Sequence, residues 1–483
     1  MFTPVLVAAV GLGCGGPVFD GVPGGIAEHG WGLSGEVEWV DAGEMSVPRD
    51  LHTATALPDG RVLVAGGDGG GEVHASAEVF DPGSAEWGGA AGMGEARFQH
   101  TAVLLADGRV LVMGGYGYGE YLGLVSVYDP ALDGWEDVDA MSVARLGNGA
   151  TRLANGGVLV TGGYNDGGLT ASAEMWSPVT GEWSGAAALS AARNRHAAVL
   201  LGDGRVLVAG GFDGIGGVGV AEVLDPAVGA WTEVGSLGHA RWMFVASSLG
   251  DGRVLVAGGQ GSSGALASAE VFDPEQGTWS EVAPMKQARS GAAGVRLPGG
   301  EILVVGGTAG DETLASAEVF DPGTGEWQEV PPMAVGRRGH TATVLPGGDV
   351  LVVGGSDAGG PIASAERLHV VPCEGCGAGG GGGAGGAGEA GGGGVSGDGA
   401  GGGAESQDSG CAHAGGGGRA GMPGAGLVLL GLLAARRRRW WGDRSDSVRR
   451  PHGRSRHPLS LQPGEPASHG TVQRNSQSGM PQG

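Results

Sequence analysis

Cysteine is almost missing from this chain. Four occur in 483 residues, and none lies between Cys14 and Cys373. That long middle stretch therefore has no disulfide and must hold its fold by packing and hydrogen bonds. Lysine is scarcer still: Lys286 stands alone among many arginines. That bias looks like the codon chemistry of a GC-rich genome. Aromatic residues make up 5% of the chain. The C-terminal apolar run, residues 424–435, is short of the roughly 20 residues that span a bilayer. Positive charge is short as well, with a net charge of −24. Ten arginines and three acidic residues lie after residue 435, and the remainder has 18 basic against 49 acidic residues, a net of −31. Nucleic-acid binding is disfavoured, since phosphate contacts need a basic surface.

What the chain has in abundance is glycine, and its placement is periodic. A doublet recurs at Gly66-Gly67, Gly114-Gly115, Gly162-Gly163, Gly210-Gly211, Gly258-Gly259, Gly306-Gly307 and Gly354-Gly355, every 48 residues. The same step separates Trp39, Trp87, Trp135, Trp183, Trp231, Trp279 and Trp327. It also separates Arg49, Arg97, Arg145, Arg193, Arg241, Arg289 and Arg337. Glutamate recurs at 78, 174, 222, 270, 318 and 366, with Ser126 in the second slot. A fixed internal period of this size is the signature of a repeat architecture.

Each unit reads as four short strands. His52 to Leu57 alternates small and apolar residues. Pro58-Asp59-Gly60 is a hairpin turn, because Asp and Gly accept left-handed backbone angles. Arg61 to Ala65 contains a Val-Leu-Val run that expects burial on both faces. The doublet ends that strand, where glycine permits unusual angles and the close approach of a neighbouring chain. Ala75 to Asp81 is the third strand, and Trp87 opens the fourth. Four antiparallel strands repeated radially describe a β-propeller blade.

The Gly-Gly doublet, the Val-Phe-Asp-Pro aromatic and the following Trp resemble the kelch repeat over residues 34–371. The resemblance implies an all-β, seven-bladed β-propeller with four-stranded antiparallel blades. The seventh unit has no Trp at 375, whereas Glu36-Val-Glu-Trp-Val precedes the first full unit. The N-terminal strand is therefore expected to complete the last blade and close the ring, which removes exposed sheet edges.

The ends of the chain read as an address. Residues 1–16 form an apolar stretch ending in small residues, as in a signal peptide. Gly13-Cys14 resembles a bacterial lipoprotein cleavage site, with a leucine one place closer to the cysteine than that pattern prefers. Cys373-Glu-Gly-Cys376 favours a local disulfide over zinc. Residues 372–420 are a Gly-rich linker expected to be disordered. Cys411, the apolar run and Arg436 to Arg439 resemble the MYXO-CTERM sorting signal of myxobacterial surface proteins. The segment assigned to that signal is 421–439. In that family the chain ends near the arginines; here a basic tail expected to be disordered follows at 440–483. These features imply an exported protein of the cell surface or outer membrane, touching membrane only through anchoring segments at Cys14 and Cys411.

Residues present in every blade are expected to serve every blade: Trp to fill space between blades, Arg and Glu to pair. His52, His100, His196 and His340 share one slot, held elsewhere by Asn148, Phe244 and Ala292. Phe and Ala there argue for packing over a metal site. Copper radical oxidases resembling galactose oxidase need a cysteine cross-linked to a tyrosine, and the propeller span has no cysteine. Gly277-Thr278-Trp279 is similar to a sialidase box, but Asp273 is one residue too far away. No nucleophile elbow, phosphate loop or zinc-protease helix occurs. A cofactor-free, monomeric, non-catalytic binding or scaffold module is the favoured reading, with an unknown protein or a surface carbohydrate as partner. The alternative is a polysaccharide hydrolase or lyase with a loop-borne active site.

The loops after each doublet should share a face with the loops that precede each first strand. They hold Tyr116, Tyr118, Tyr121 and Tyr164, with Phe212 in register. Asn165, Asp166 and Asp213 sit beside them. Blades two to four are thus expected to show an aromatic strip on that face, suited to stacking on sugar rings or to a protein partner. The Asp-Gly turns and Asp-Pro loops of the other face are expected to vary little.

Overall fold

The computed structural model of the chain describes residues 37–370. The signal segment, the Gly-rich linker, the sorting segment, the basic tail and all four cysteines lie outside them. The described residues fold as seven four-stranded antiparallel sheets, joined in sequence order. Blade 1 runs from its innermost strand, Thr53–Ala56, through Val62–Ala65 and Ala77–Asp81 to Glu86–Ala90 at the rim. The following blades repeat this in the 48-residue step.

Closure follows the expected route. Val37–Glu44 pairs antiparallel with Ser364–Val370 and forms the outer strand of blade 7. Trp39 stands opposite Leu368, and its indole donates to the carbonyl of Pro331 in blade 6 at 2.7 Å. Trp87 makes the equivalent bond to Ala42 at 2.9 Å and Trp135 to Ala91 at 2.7 Å. Six of the seven repeat tryptophans tie their blade to the one before in this way; the exception is Trp279, whose buried Nε1 has no partner among the described residues.

The core is a set of wedges between neighbouring blades. One wedge unites Val62, Val64 and Phe80 of blade 1 with Leu351, Val353 and Ala365 of blade 7. The second strand of every blade is buried along its length, as the Val-Leu-Val runs require. Every repeat arginine is 0–1% exposed. Arg145 donates to Glu174 at 2.6 Å and to the carbonyls of Gly162 and Ser172, all within its own blade. A buried guanidinium is tolerated because these partners replace water. In blade 2, Ser126 replaces the glutamate, and its hydroxyl donates to Asp137 at 2.7 Å while Arg97 reaches that hydroxyl.

The doublet meets two demands at once. Gly66 and Gly67 have φ of +66° and +105°. A Cβ on Gly66 would lie 2.5 Å from the Arg97 carbonyl and 2.6 Å from the His100 ring, both of the next blade. The Gly67 N–H donates to that same carbonyl at 2.9 Å. Any side chain there would push neighbouring blades apart.

Candidate functional site

One face of the ring is built from two loop sets that meet. The residue after each doublet bridges the residue that follows the repeat arginine: Asp50 with Asp68, Phe98 with Tyr116, Leu146 with Tyr164, Asn194 with Phe212, Trp242 with Gln260, Ser290 with Thr308 and Arg338 with Ser356. The two loop sets share a face, as expected. The first partner differs in every blade and the second in all but blades 2 and 3, which both have tyrosine, whereas the arginine one residue upstream of the first never changes. Variation on an invariant scaffold is where recognition is placed.

Inside these pairs runs a chain of six backbone hydrogen bonds across the seven blades. Leu51, Gln99, Gly147, Arg195, Met243, Gly291 and Gly339 occupy one slot, and all have φ between +51° and +63°. The N–H of Leu51 donates to Gly339, Gln99 to Leu51, Gly147 to Gln99, Arg195 to Gly147, Met243 to Arg195 and Gly291 to Met243, at 2.8–3.4 Å. Four of these residues carry side chains in the left-handed region, at about 1–2 kcal/mol each.

The aromatic residues form two groups. Phe98 and Tyr116 have ring centroids 5.8 Å apart, Tyr116 and Tyr121 5.0 Å, and Tyr121 and Tyr164 5.7 Å. This cluster crosses from blade 2 to blade 3. Phe212 instead packs on Trp242 at 5.2 Å, across blades 4 and 5. The expected strip over blades two to four is therefore divided, with Leu169 near Gly214 between the two groups. Phe98 and Trp242 precede the innermost strand, outside the post-doublet loops, so no pattern in those loops signals them.

The rings are partly packed and partly free. Tyr116 and Tyr121 are half-buried, while Tyr118 is 76% and Tyr164 39% exposed. Tyr118 has φ +48° at the tip of the hairpin formed by Tyr116–Gly117 and Glu120–Tyr121. A large exposed ring is thus held in a conformation that glycine or asparagine adopts at lower cost. Burial, and then the neighbouring Tyr164 and Tyr116, push the Tyr121 phenol up, so it stays protonated and able to donate. Asn165 donates to the Ala144 carbonyl at 2.9 Å and accepts from Gly167 at 2.8 Å. Asp213 accepts from Ile215 and Gly216, both at 2.8 Å, and those N–H groups hold its carboxyl below the usual range. These two residues shape their loops. Asp166 is exposed beside them.

Two other groups lie close to this face. Ser356 donates to Asp50 Oδ2 at 2.5 Å. Burial pushes the Asp50 carboxyl up to about 6, against the Ser356 bond, with Asp68 adding to the rise and Arg338 opposing it. The slot histidines are buried at blade interfaces. Nε2 of His52 lies 3.0 Å from Thr341 Oγ1 and that of His100 3.0 Å from Thr53 Oγ1. Among the described residues no group of three or more His, Cys, Asp or Glu is arranged to hold a metal ion. On the opposite face the loops after the third strands differ more than expected: blade 3 has Ser177-Pro178 where blades 2 and 4 have Asp-Pro, and Leu132, Val179 and Val228 are 78%, 90% and 73% exposed in blades 2, 3 and 4.

The fold and the site together define a seven-bladed, all-β propeller with a variable loop face. Residues 147–355 match the family described as the KLHDC2/KLHL20/DRC7 Kelch-repeats domain. No curated relative matches the chain. A solved structure described as a novel fungal alcohol oxidase of the AA5 family, in complex with copper, is similar over 70% of this chain and 76% of its own, with 20% identity and a TM-score of 0.58. A structure described as YjhT is similar over 60% of this chain and 99% of its own, with 17% identity and a TM-score of 0.49. At 20% identity the likeness to the oxidase is one of fold.

Proposed function

We propose that this protein is a non-catalytic binding module whose ligand rests on the loop face of blades 2 and 3. The observation that supports this most is the cluster Phe98, Tyr116, Tyr121 and Tyr164, with Tyr164 and the neighbouring Tyr118 open to solvent. Exposed rings are costly unless a partner covers them, and a chain with 5% aromatics places four of its five tyrosines here. The propeller is held by ion pairs and indole bonds inside and between blades, so the loops can vary without loss of the frame. The kelch-type fold suits such a role. The hydrolase or lyase reading is the less favoured alternative, with Glu120 and Asp166 the carboxylates nearest the tyrosines in sequence.

In this reading the protein is exported, and its terminal segments hold it at the cell envelope. Its partner is a carbohydrate or protein of that surface. The test replaces Tyr118, Tyr121 and Tyr164 by alanine together and compares retention on envelope fractions. Lost retention with an unchanged melting curve supports the proposal. Unchanged retention removes this face from consideration. For the address, fractionation should find the protein with the envelope; protein wholly in the cytoplasm, with Cys14 and Cys411 unmodified, contradicts it.

A further inference from the structure

The post-doublet loops carry charge of one sign. The nine residues after each doublet hold eight carboxylates across the seven blades, and neither lysine nor arginine. Two of those carboxylates stand at the tyrosines. Glu120 is exposed, pairs with Gly117 in the short hairpin and is followed by Tyr121. Asp166 is exposed two residues after Tyr164. It lies close enough to the Tyr121 phenol to help push it up, after burial, Tyr164 and Tyr116. The repeat arginines of these two blades do not answer that charge. Arg97 and Arg145 are buried and donate to the carbonyls of Gly114 and Gly162 in their own blades.

The rings add to the same field. Tyr116 meets Tyr121 at 71° and Tyr121 meets Tyr164 at 59°, so neither pair is stacked face to face. Tyr164 is 39% exposed. The face of a phenol ring is the negative part of its quadrupole and attracts a cation placed over it. Open ring and carboxylate therefore favour the same kind of group.

We propose that this surface docks a basic segment of a protein partner, with an arginine of that segment lying over Tyr164 and pairing with Asp166, while Glu120 adds to the attraction. The inference rests on the binding-face reading above and names the partner's chemistry. Arginine suits the site better than lysine, because its planar group stacks on a ring while its N–H fork still reaches a carboxylate. A neutral sugar answers the ring but not the charge.

The experiment is fluorescence anisotropy on the full chain, at about 150 mM salt so that distant charges are screened. The probes are labelled nonapeptides in which glycine alternates with arginine, lysine or glutamate. The arginine peptide should bind, the lysine peptide several-fold more weakly and the glutamate peptide not at all. Tyr164→Leu and Asp166→Asn should each weaken the arginine peptide about fivefold, with melting curves unchanged. Asp311→Asn, in the corresponding loop of blade 6, should change it less than about twofold. Equal losses from Asp166→Asn and Asp311→Asn would show attraction to net charge alone and overturn the site. A lysine peptide bound as tightly as the arginine peptide overturns the arginine assignment. Absence of arginine-peptide binding overturns the whole proposal; if the triple tyrosine variant still loses envelope retention, the binding face stands without it. Binding of a β-1,4-glucose hexasaccharide that Tyr164→Leu abolishes, with no arginine-peptide binding, would make the ligand a carbohydrate instead.

Discussion

Thr161 Oγ1 lies 2.8 Å from His196 Nε2 in the next blade, and it replaces a hydroxyl that Gly149 cannot supply. In blades 7, 1 and 2 the innermost strand provides that hydroxyl: Thr341 for His52, Thr53 for His100 and Thr101 for Asn148. Blade 3 has glycine in that slot, and the threonine has moved to the second strand, where the other blades have Ala, Met or Val. Thr161→Val should therefore cost about 1–3 kcal/mol in urea unfolding, since it strands a buried imidazole nitrogen. Thr343→Val is the comparison. The Thr343 hydroxyl is buried without a partner, so its removal should be neutral or stabilising. Equal effects of the two would contradict the pairing.

The ion pairs should divide by burial. Arg145 and Glu174 have side chains 0% and 4% exposed, and Glu174 also accepts from the Ser142 N–H and hydroxyl. Glu174→Ala leaves a buried guanidinium without its carboxylate and should cost about 3–5 kcal/mol. Arg61 and Asp59, at 37% and 48%, form an exposed pair in a turn. Asp59→Ala should change stability by at most about 1 kcal/mol. Comparable losses would show that the central arginines are not held as described.

Acid should unfold the protein through its histidines. Burial, then the neighbouring arginines, hold His100, His196 and His340 at about 3. His52 is lowered for the same reasons. The unfolded chain takes protons near 6.5, so stability is full above that pH and is lost as pH falls from 6.5 toward 3. Asp50 acts with the opposite sign. Its folded carboxyl protonates near 6, above the 3.8 of the unfolded chain, so ionised Asp50 destabilises the fold above pH 6. Asp50→Asn should stabilise at pH 8 by about 1–3 kcal/mol, and the gain should vanish as pH falls from 6 to 4. A pH-independent gain would contradict this.

Closure can be measured by deletion. Removing residues 37–44 takes out the outer strand of blade 7, including Trp39 and its bond to Pro331. The loss of burial and pairing should lower Tm by roughly 10 °C or more and expose an edge prone to association. An unchanged Tm would show that the ring does not depend on this strand.

The 48-residue step made the blades legible, because one period fixes strand spacing, register and number together. Trp39 without a counterpart at 375 was enough to place the closing strand. The face was less legible. Tyr116 and Phe98 are 18 residues apart, and only the folded hairpin brings them side by side. Gln99 and Gly147 are joined by a backbone bond that no residue type announces. The short post-doublet hairpins, such as Tyr116–Gly117 with Glu120–Tyr121, also escaped, since two-residue strands leave no periodic pattern. On the opposite face, Leu132 and Val228 follow Asp-Pro starts that look uniform, and Val179 follows Ser177-Pro178, although the next residues differ.

The binding face itself can be located by hydrogen exchange on the full chain, with and without a saturating envelope extract. Protection should appear in peptides covering 116–122 and 163–170, the loops of Tyr116, Tyr121 and Tyr164, and not in those covering 129–133 and 177–181, the loops of Leu132 and Val179. Protection confined to the second pair, or absent from both, would contradict a ligand bound on the tyrosine face.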